Sequence, residues 1–338
     1  MNISISSNGT NSYWLVEATL LLSISAFGGL GNMLVIFVIC KTKKLQNVTH
    51  YLIVNLAIAD MVVAYSSLDK AVWKIWTNLN GGEMNTFAKV FCKTSAYCMF
   101  LSFIASTSFL IALSIERYYS ILKPFENRLD RRKLKILIFG VWFLSFIFGI
   151  PQIFTTTAPS KFHYQCFVPQ ISGAFNLCYF ISLTLVLYVI PLVTMTNIYI
   201  RIGIYVLNNK IPGDPTKDTE LLHQKRNHRV ATTCFVITAL YMMSALPMAI
   251  NFIIIAFSGN ADDDSTFAEK GGLILYSNLS QAIYVLSCAY NPVVYNCLSS
   301  DFRKAFVGLF CGCRRRRNNQ DSAEYPITGT KRSTFIRA

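Results

Sequence analysis

Six uninterrupted runs, residues 18–40, 94–115, 136–158, 171–200, 230–257 and 271–298, contain no Lys, Arg, Asp or Glu, and a seventh, 51–68, carries a single charge, Asp60. About 20 apolar residues are what an α-helix needs to cross roughly 30 Å of hydrocarbon. In lipid every backbone N–H and C=O must be satisfied within the segment or by a closed barrel, so runs of this length fold as helices. The expected fold is an all-α membrane protein, a seven-transmembrane helix bundle with its two ends on opposite sides of the bilayer. Composition agrees: the chain is 53% hydrophobic and 14% charged, against about 25% charged for a soluble domain.

Orientation follows from the basic residues, because Lys and Arg collect in short cytoplasmic segments. With the N-terminus outside, Lys70, Lys74, Lys89, Lys93, Lys161 and Lys270 fall on the outer side, and the remaining 25 of the 31 Lys and Arg lie at the inner edge or inside. The expected protein is therefore multi-pass in the plasma membrane, N-terminus outside and C-terminus cytoplasmic. The net charge of +14 then reflects topology and attraction to anionic inner-leaflet lipid, and no nucleic-acid partner is expected.

Four segments are expected: an extracellular tail (1–14), the transmembrane domain (15–300), an amphipathic membrane-surface helix (301–313) and a disordered cytoplasmic tail (314–338). The first residues have neither a basic start nor an apolar core, so they do not read as a cleavable signal. Sequons at Asn2 and Asn8 fit glycosylation outside. Matches at Asn47 and Asn278 fall in an inner loop and in a span. Of the ten cysteines, Cys92 and Cys166 both lie clearly in the oxidising outer space. A Cys92–Cys166 disulfide is the expectation and two free thiols the alternative. Phe302, Ala305, Phe306, Leu309 and Phe310 recur at helical spacing, with Arg303 and Lys304 opposite, as in a helix lying on the inner membrane surface. Cys311 and Cys313 at its end are palmitoylation candidates, backed by Arg314 to Arg317.

The sharpest local feature is "SIERYYSILKPF", residues 114–125, where a Glu and an Arg stand directly after an uncharged span. An ionisable residue at such depth is a functional candidate; an arginine snorkelling to the interface is the plainer alternative. "GNMLV", "NLAIAD", Cys92 placed 25 residues before Arg117, "ERYYSILKPF", Trp142, Pro191 with Tyr199 eight residues on, Pro247 and "NPVVYNCLSSDFRKAF" occur in this order. In order and spacing, over about residues 15–312, they resemble the rhodopsin-like class of G-protein-coupled receptors. The last motif is most similar to peptide receptors of the galanin, allatostatin and somatostatin type.

The resemblance implies a receptor that binds an extracellular ligand, expected to be a peptide, and activates a heterotrimeric G protein, with arrestin and receptor kinases as further partners. A lipid or a small non-amine metabolite is the alternative ligand, and a membrane transporter the alternative class. Residues 271–300 contain no lysine for a retinal Schiff base, no internal repeat marks a transporter, and the histidines at 50, 163, 223 and 228 lie at span edges or in loops. No enzyme is expected.

By the same resemblance Glu116, Arg117 and Tyr118 form the coupling switch together with Tyr199, Asn291, Pro292 and Tyr295. Glu116 is expected to hold the Arg117 guanidinium at rest. Pro292 removes a backbone donor and leaves the Cys288 carbonyl without its helical partner. Asp60 must be paired, hydrated or protonated at its depth. Its implied neighbours Asn32, Ser106, Ser287 and Asn291 form either a sodium site built on Asp60, Ser106 and Asn291, the sole cofactor in prospect, or a closed hydrogen-bond network. The implied ligand pocket lies near Asp69, Lys70, Met99, Thr184, Asn251, Gln281 and Tyr284. Three departures stand out. Ala245 occupies the place of a common Trp, Tyr241 that of a common Phe, and Asn227 that of an acid that in relatives reaches for the arginine. The relay from ligand to Arg117 is therefore expected to be altered.

Overall fold

The computed structural model describes residues 10–80, 86–123, 126, 129–157, 168–169, 173–208, 218–258 and 267–310; side chains at 10–13, 207–227 and 258–271, and at a few single positions, are not among them. Asn2, Asn8, Cys166, Cys311 and Cys313 therefore lie outside the described residues, as does the Asn227 side chain.

Among the described residues ten α-helices follow in order: α1 (Thr10–Lys41), α2 (Val48–Asn80), α3 (Thr86–Leu122), α4 (Arg131–Gly149), α5 (Pro151–Thr155), α6 (Gly173–Thr184), α7 (Ile190–Asn208), α8 (Asp218–Ser258), α9 (Phe267–Leu298) and α10 (Ser300–Phe310). One π turn, Leu185–Val189, joins α6 to α7, so these two make one span. Two-residue strands β1 (Thr156–Thr157) and β2 (Val168–Pro169) pair antiparallel. Six helical segments are long and apolar enough to cross a membrane, with mean hydropathy from 1.6 to 2.2. α9 is the seventh long helix, and its apolar stretch is interrupted by Asn278, Gln281, Ser287 and Asn291.

Local chemistry sets the ends. Asp130 caps α4, its carboxylate accepting from Lys133 N at 2.7 Å. Asn47 Oδ1 accepts from His50 N at 3.1 Å at the start of α2, so this asparagine is a cap and its sequon is incidental. Pro151 opens α5, where a missing N–H costs nothing. The fourth span therefore leaves regular helix at Ile150 rather than running to 158, and α1 begins at Thr10, inside the segment read as tail. α8, at 41 residues, is about 60 Å long, so it extends beyond the hydrocarbon layer.

Burial is inverted relative to a soluble protein. Asn32, Ser106 and Ser114 are fully buried and Asp60 and Asn291 nearly so, while Phe139, Phe143, Phe146, Phe148 and Phe154 on α4 and α5 face outward. An apolar exterior over a polar seam is what a lipid solvent selects. α3 is the hub, with 78% of its most apolar window buried against 17% for α4. It packs on α2, α4, α7 and α8. α10 is amphipathic: Phe302 is buried, Ala305, Phe306 and Leu309 are half-buried against the core, and Arg303 and Lys304 are exposed.

α1 meets α9 most closely at Gly31, where an added Cβ would fall 2.8 Å from Pro292 Cγ. Gly31→Ala is therefore expected to destabilise the bundle by roughly 1–3 kcal/mol, the usual cost of overpacking. Thermal unfolding in detergent checks this; an unchanged midpoint would mean that α1 shifts without cost.

Candidate functional site

At the end of the bundle where α3 finishes, Arg117 closes a three-way contact. Its guanidinium donates to both oxygens of Glu116 and, through Nη2, to Thr49 Oγ1. Thr49 in turn donates to Glu116 Oε2 at 3.1 Å. Arg117 is 5% exposed, so its charge is held by these two partners rather than by open solvent. Adjacency of Glu116 and Arg117 made their pairing legible in the sequence. Thr49, 67 residues before Glu116, carries no local signal. It arrives because α2 packs along α3.

This cluster lines a cavity of about 610 Å³ together with Ile53, Lys133, Cys234, Tyr295 and Phe302. Among the predicted switch residues, Tyr295 is buried with its ring 6.1 Å from that of Phe302. Tyr118 stands outside the cavity, its ring edge-on to Tyr119 at 5.5 Å. Tyr199 lies elsewhere: its hydroxyl is 3.2 Å from Ser114 Oγ and 3.4 Å from Thr238 Oγ1. The structure therefore does not join Tyr199 to Tyr295.

Deeper in, Pro292 and Asp60 are tied to α1 and α9. Asn32 Nδ2 donates to Gly28 O at 2.9 Å and to Cys288 O at 2.8 Å. The second bond supplies the donor that Pro292 cannot, so the freed carbonyl is satisfied from a neighbouring helix. Asn291 Nδ2 donates to Asp60 Oδ2 at 2.7 Å. Ser106 Oγ and the Oδ1 atoms of Asn32 and Asn291 are buried without a protein partner among the described residues. Trp142 Nε1 donates to Asn55 Oδ1 at 3.0 Å and fixes α4 on α2.

Towards the opposite end of the bundle, Lys70 Nζ and Gln281 Nε2 both point at Met99 Sδ, the lysine at 4.0 Å. Asp69 accepts from Ser95 Oγ, one turn above Met99, at 2.5 Å. These four predicted pocket residues are thus brought together between α2, α3 and α9. Asn251 bonds Ser277 Oγ at 3.3 Å, and Thr184 donates back to Phe180 O at 2.9 Å. Tyr284 is 1% exposed, with its ring 4.9 Å from Phe103, and is part of the packed core. Two contacts were not foreseen. Thr107 Oγ1 meets Tyr241 OH at 2.8 Å, and Lys74 pairs with Glu17 across α1 and α2.

Comparison with known proteins places this geometry. Residues 31–295 match the family "7 transmembrane receptor (rhodopsin family)". The human neuromedin-K receptor is 27% identical over 93% of the chain and 68% of its own length. The Drosophila melanogaster tachykinin-like peptides receptor 99D is 30% identical over 85% and 56%, and the human substance-K receptor 27% over 88% and 73%. The chain thus spans 56% to 73% of the length of these relatives. Their names do not include the galanin, allatostatin and somatostatin types that the last motif resembles. A matched segment reaching from the first span to the end of the seventh, on seven long helices with Arg117 buried near the C-terminal end of the third, carries one conclusion: the chain belongs to the rhodopsin family of seven-transmembrane receptors.

Proposed function

We propose that this receptor binds an extracellular peptide between the outer ends of α2, α3 and α9 and activates a heterotrimeric G protein through Arg117. The N-terminus lies outside the plasma membrane and the C-terminus in the cytoplasm. The observation that carries the reading is the Thr49–Glu116–Arg117 cluster on the wall of a cavity of about 610 Å³ at the inner end of the bundle. A buried arginine held by one carboxylate and one hydroxyl is a stored charge that an opening movement releases. The peptide assignment is supported by tachykinin-like peptides receptor 99D, by name a receptor for peptides, and by the polar convergence on Met99. Met99 offers no counter-ion for an amine.

Asp60, Ser106 and Asn291 supply hard oxygens of the kind a sodium ion or ordered water takes, two of them on atoms with no protein partner among the described residues. Bound sodium would supply positive charge beside Asp60 and favour the closed bundle. A Cys92–Cys166 bridge, glycans on Asn2 and Asn8, acyl chains on Cys311 and Cys313, and phosphorylation-dependent arrestin binding complete the proposal.

Expression of the full chain with sensors for each G-protein class, screened against peptide, lipid and amine libraries, tests the reading. A response in the peptide arm is expected. A response confined to lipids or small metabolites overturns the peptide assignment, and surface-expressed receptor that engages no G protein overturns coupling.

A further inference from the structure

The cavity of about 610 Å³ beside Arg117 also holds a thiol. Cys234 of α8 lines it and carries no disulfide. Cys40, Cys178 and Cys297 are exposed, whereas Cys234 is 1% exposed. A reagent therefore reaches this sulfur by way of the cavity.

The space around the thiol has the character of a small-molecule site. Its volume falls within the range of about 300–1,000 Å³ usual for ligand pockets. Its walls are largely apolar, with Ile39, Ile53, Ile115, Leu129, Val230 and Phe302. Its charges balance, Arg117 and Lys133 against Glu116 and Asp301, so no net field selects an ion.

One polar atom indicates what the cavity would take. Tyr295 of α9 lines it, is 3% exposed, and its hydroxyl has no protein partner among the described residues. A buried hydroxyl without a partner costs free energy, and its O–H is a donor, so an acceptor oxygen entering the cavity restores the missing bond. Tyr295 and Cys234 are close enough to act on each other electrostatically, and the charge of Arg117 reaches the same sulfur. A donor and a soft nucleophile thus share one enclosed apolar space. A conjugated carbonyl compound carries the two matching features, an acceptor oxygen and, two bonds beyond the carbonyl carbon, a soft electrophilic carbon.

We propose that Cys234 is a covalent modification site for a small, uncharged α,β-unsaturated carbonyl compound that enters this cavity, and that Tyr295 binds its carbonyl oxygen. The sulfur lone pair forms a C–S bond to the β-carbon, and the C=C π pair shifts towards the carbonyl. The oxygen that gains charge accepts from the Tyr295 hydroxyl, and the proton lost from sulfur ends on the α-carbon. The sum is addition of S–H across C=C, with no electron gained or lost and no leaving group. Tyr295 both orients the compound and donates where charge develops. On the coupling reading given above a G protein enters at this end of the bundle, so the adduct obstructs its entry and lowers nucleotide exchange. Formation of the adduct does not depend on that reading.

The test measures modification and coupling separately. Full-length receptor in phosphatidylcholine–phosphatidylserine nanodiscs is treated with N-ethylmaleimide, a small uncharged conjugated imide, or with a maleimide carrying a long polyethylene glycol chain. Peptide mass spectrometry follows the adduct at each cysteine. N-ethylmaleimide is expected to modify Cys234, and the polymer reagent to leave it free because the chain cannot enter. Tyr295→Phe keeps the ring and removes the hydroxyl; it is expected to slow the Cys234 adduct roughly two- to tenfold, the range set by one net hydrogen bond. The rates at Cys40, Cys178 and Cys297 should stay the same, which a general loosening of the bundle would not leave untouched. After excess reagent is quenched with free cysteine and removed, nucleotide exchange is measured on a panel of purified G proteins. Modified wild type is expected to lose most of its exchange, and Cys234→Ala to exchange equally with and without the reagent.

Cys234 left unmodified by N-ethylmaleimide while the exposed cysteines react, or modified equally by the polymer reagent, overturns the proposal; these wild-type results decide it even where Tyr295→Phe does not fold. An unchanged adduct rate in folded Tyr295→Phe overturns the part given to the hydroxyl. A loss of exchange that persists in Cys234→Ala places the effect at another cysteine and overturns the obstruction. Full modification of Cys234 with undiminished exchange leaves the site standing and removes the reading that a G protein enters here. Untreated receptor that drives exchange on no G protein removes the coupling reading alone.

Discussion

Glu116→Gln is expected to raise ligand-independent G-protein exchange about tenfold, and Arg117→Ala in the same background to bring it below the wild-type level. Arg117 is gripped by both Glu116 oxygens and by Thr49, in a site where the arginine and glutamate side chains are 6% and 14% exposed. Charge-assisted hydrogen bonds contribute roughly 1.5–3 kcal/mol, against about 1 kcal/mol for neutral ones. Replacing the carboxylate by an amide of the same shape costs the closed state about 1.4 kcal/mol, which is a tenfold change in population. Only the closed state is affected, so the maximal response to an activating peptide should stay the same. Under the proposed coupling, Arg117→Ala removes the group that the open state would present to a G protein, and no neighbouring side chain replaces a planar, permanently charged guanidinium. Nucleotide exchange at matched surface expression checks both; equal basal rates for wild type and Glu116→Gln would show that the pair does not restrain the resting state.

Asn32→Ala is expected to destabilise the receptor by roughly 2–4 kcal/mol, and by clearly less when Pro292 is also Ala. Asn32 is fully buried and donates to Gly28 O and Cys288 O. Its loss leaves the Cys288 carbonyl buried without a donor, a penalty of roughly 1–3 kcal/mol, and opens a small cavity besides. Pro292→Ala restores the backbone N–H four residues on, and with it the helical partner of Cys288 O. The two substitutions should therefore couple in a double-mutant cycle. Thermal or denaturant unfolding in detergent measures each corner. Strict additivity would mean that the asparagine supports α9 by packing alone.

Those two sites show where reading the chain in one dimension succeeds. The uncharged runs specify helices because a bilayer leaves the backbone no other way to bond, and that reasoning needs no knowledge of neighbours. Glu116 beside Arg117, Pro292 four residues after Cys288, and the apolar stripe of α10 are likewise properties of adjacent or helically spaced residues. Even the departures at Tyr241 and Ala245 were visible as letters, although what fills the space was not.

Everything that joins one helix to another came from packing. Thr49 against Arg117, Asn32 against Cys288 O, Lys74 against Glu17, and the hydroxyl pairs on Thr107 and Ser114 unite residues that are 57 to 256 positions apart. Ser and Thr at these positions are indistinguishable in sequence from those that merely bond their own helix, as Thr19 does to Leu15 O and Thr94 to Val90 O. Which of them turns inward depends on the rotation and approach of each helix, and those are set by the summed contacts of whole faces, including the close passage of Gly31 at Pro292. The sequence by itself therefore determined the membrane class, the helices and the charged pair at the end of α3. Only the tertiary structure decided which hydroxyl, amide or carboxylate holds each helix to the next, because hydrogen bonds act over about 3 Å and the chain acquires that proximity only when folded.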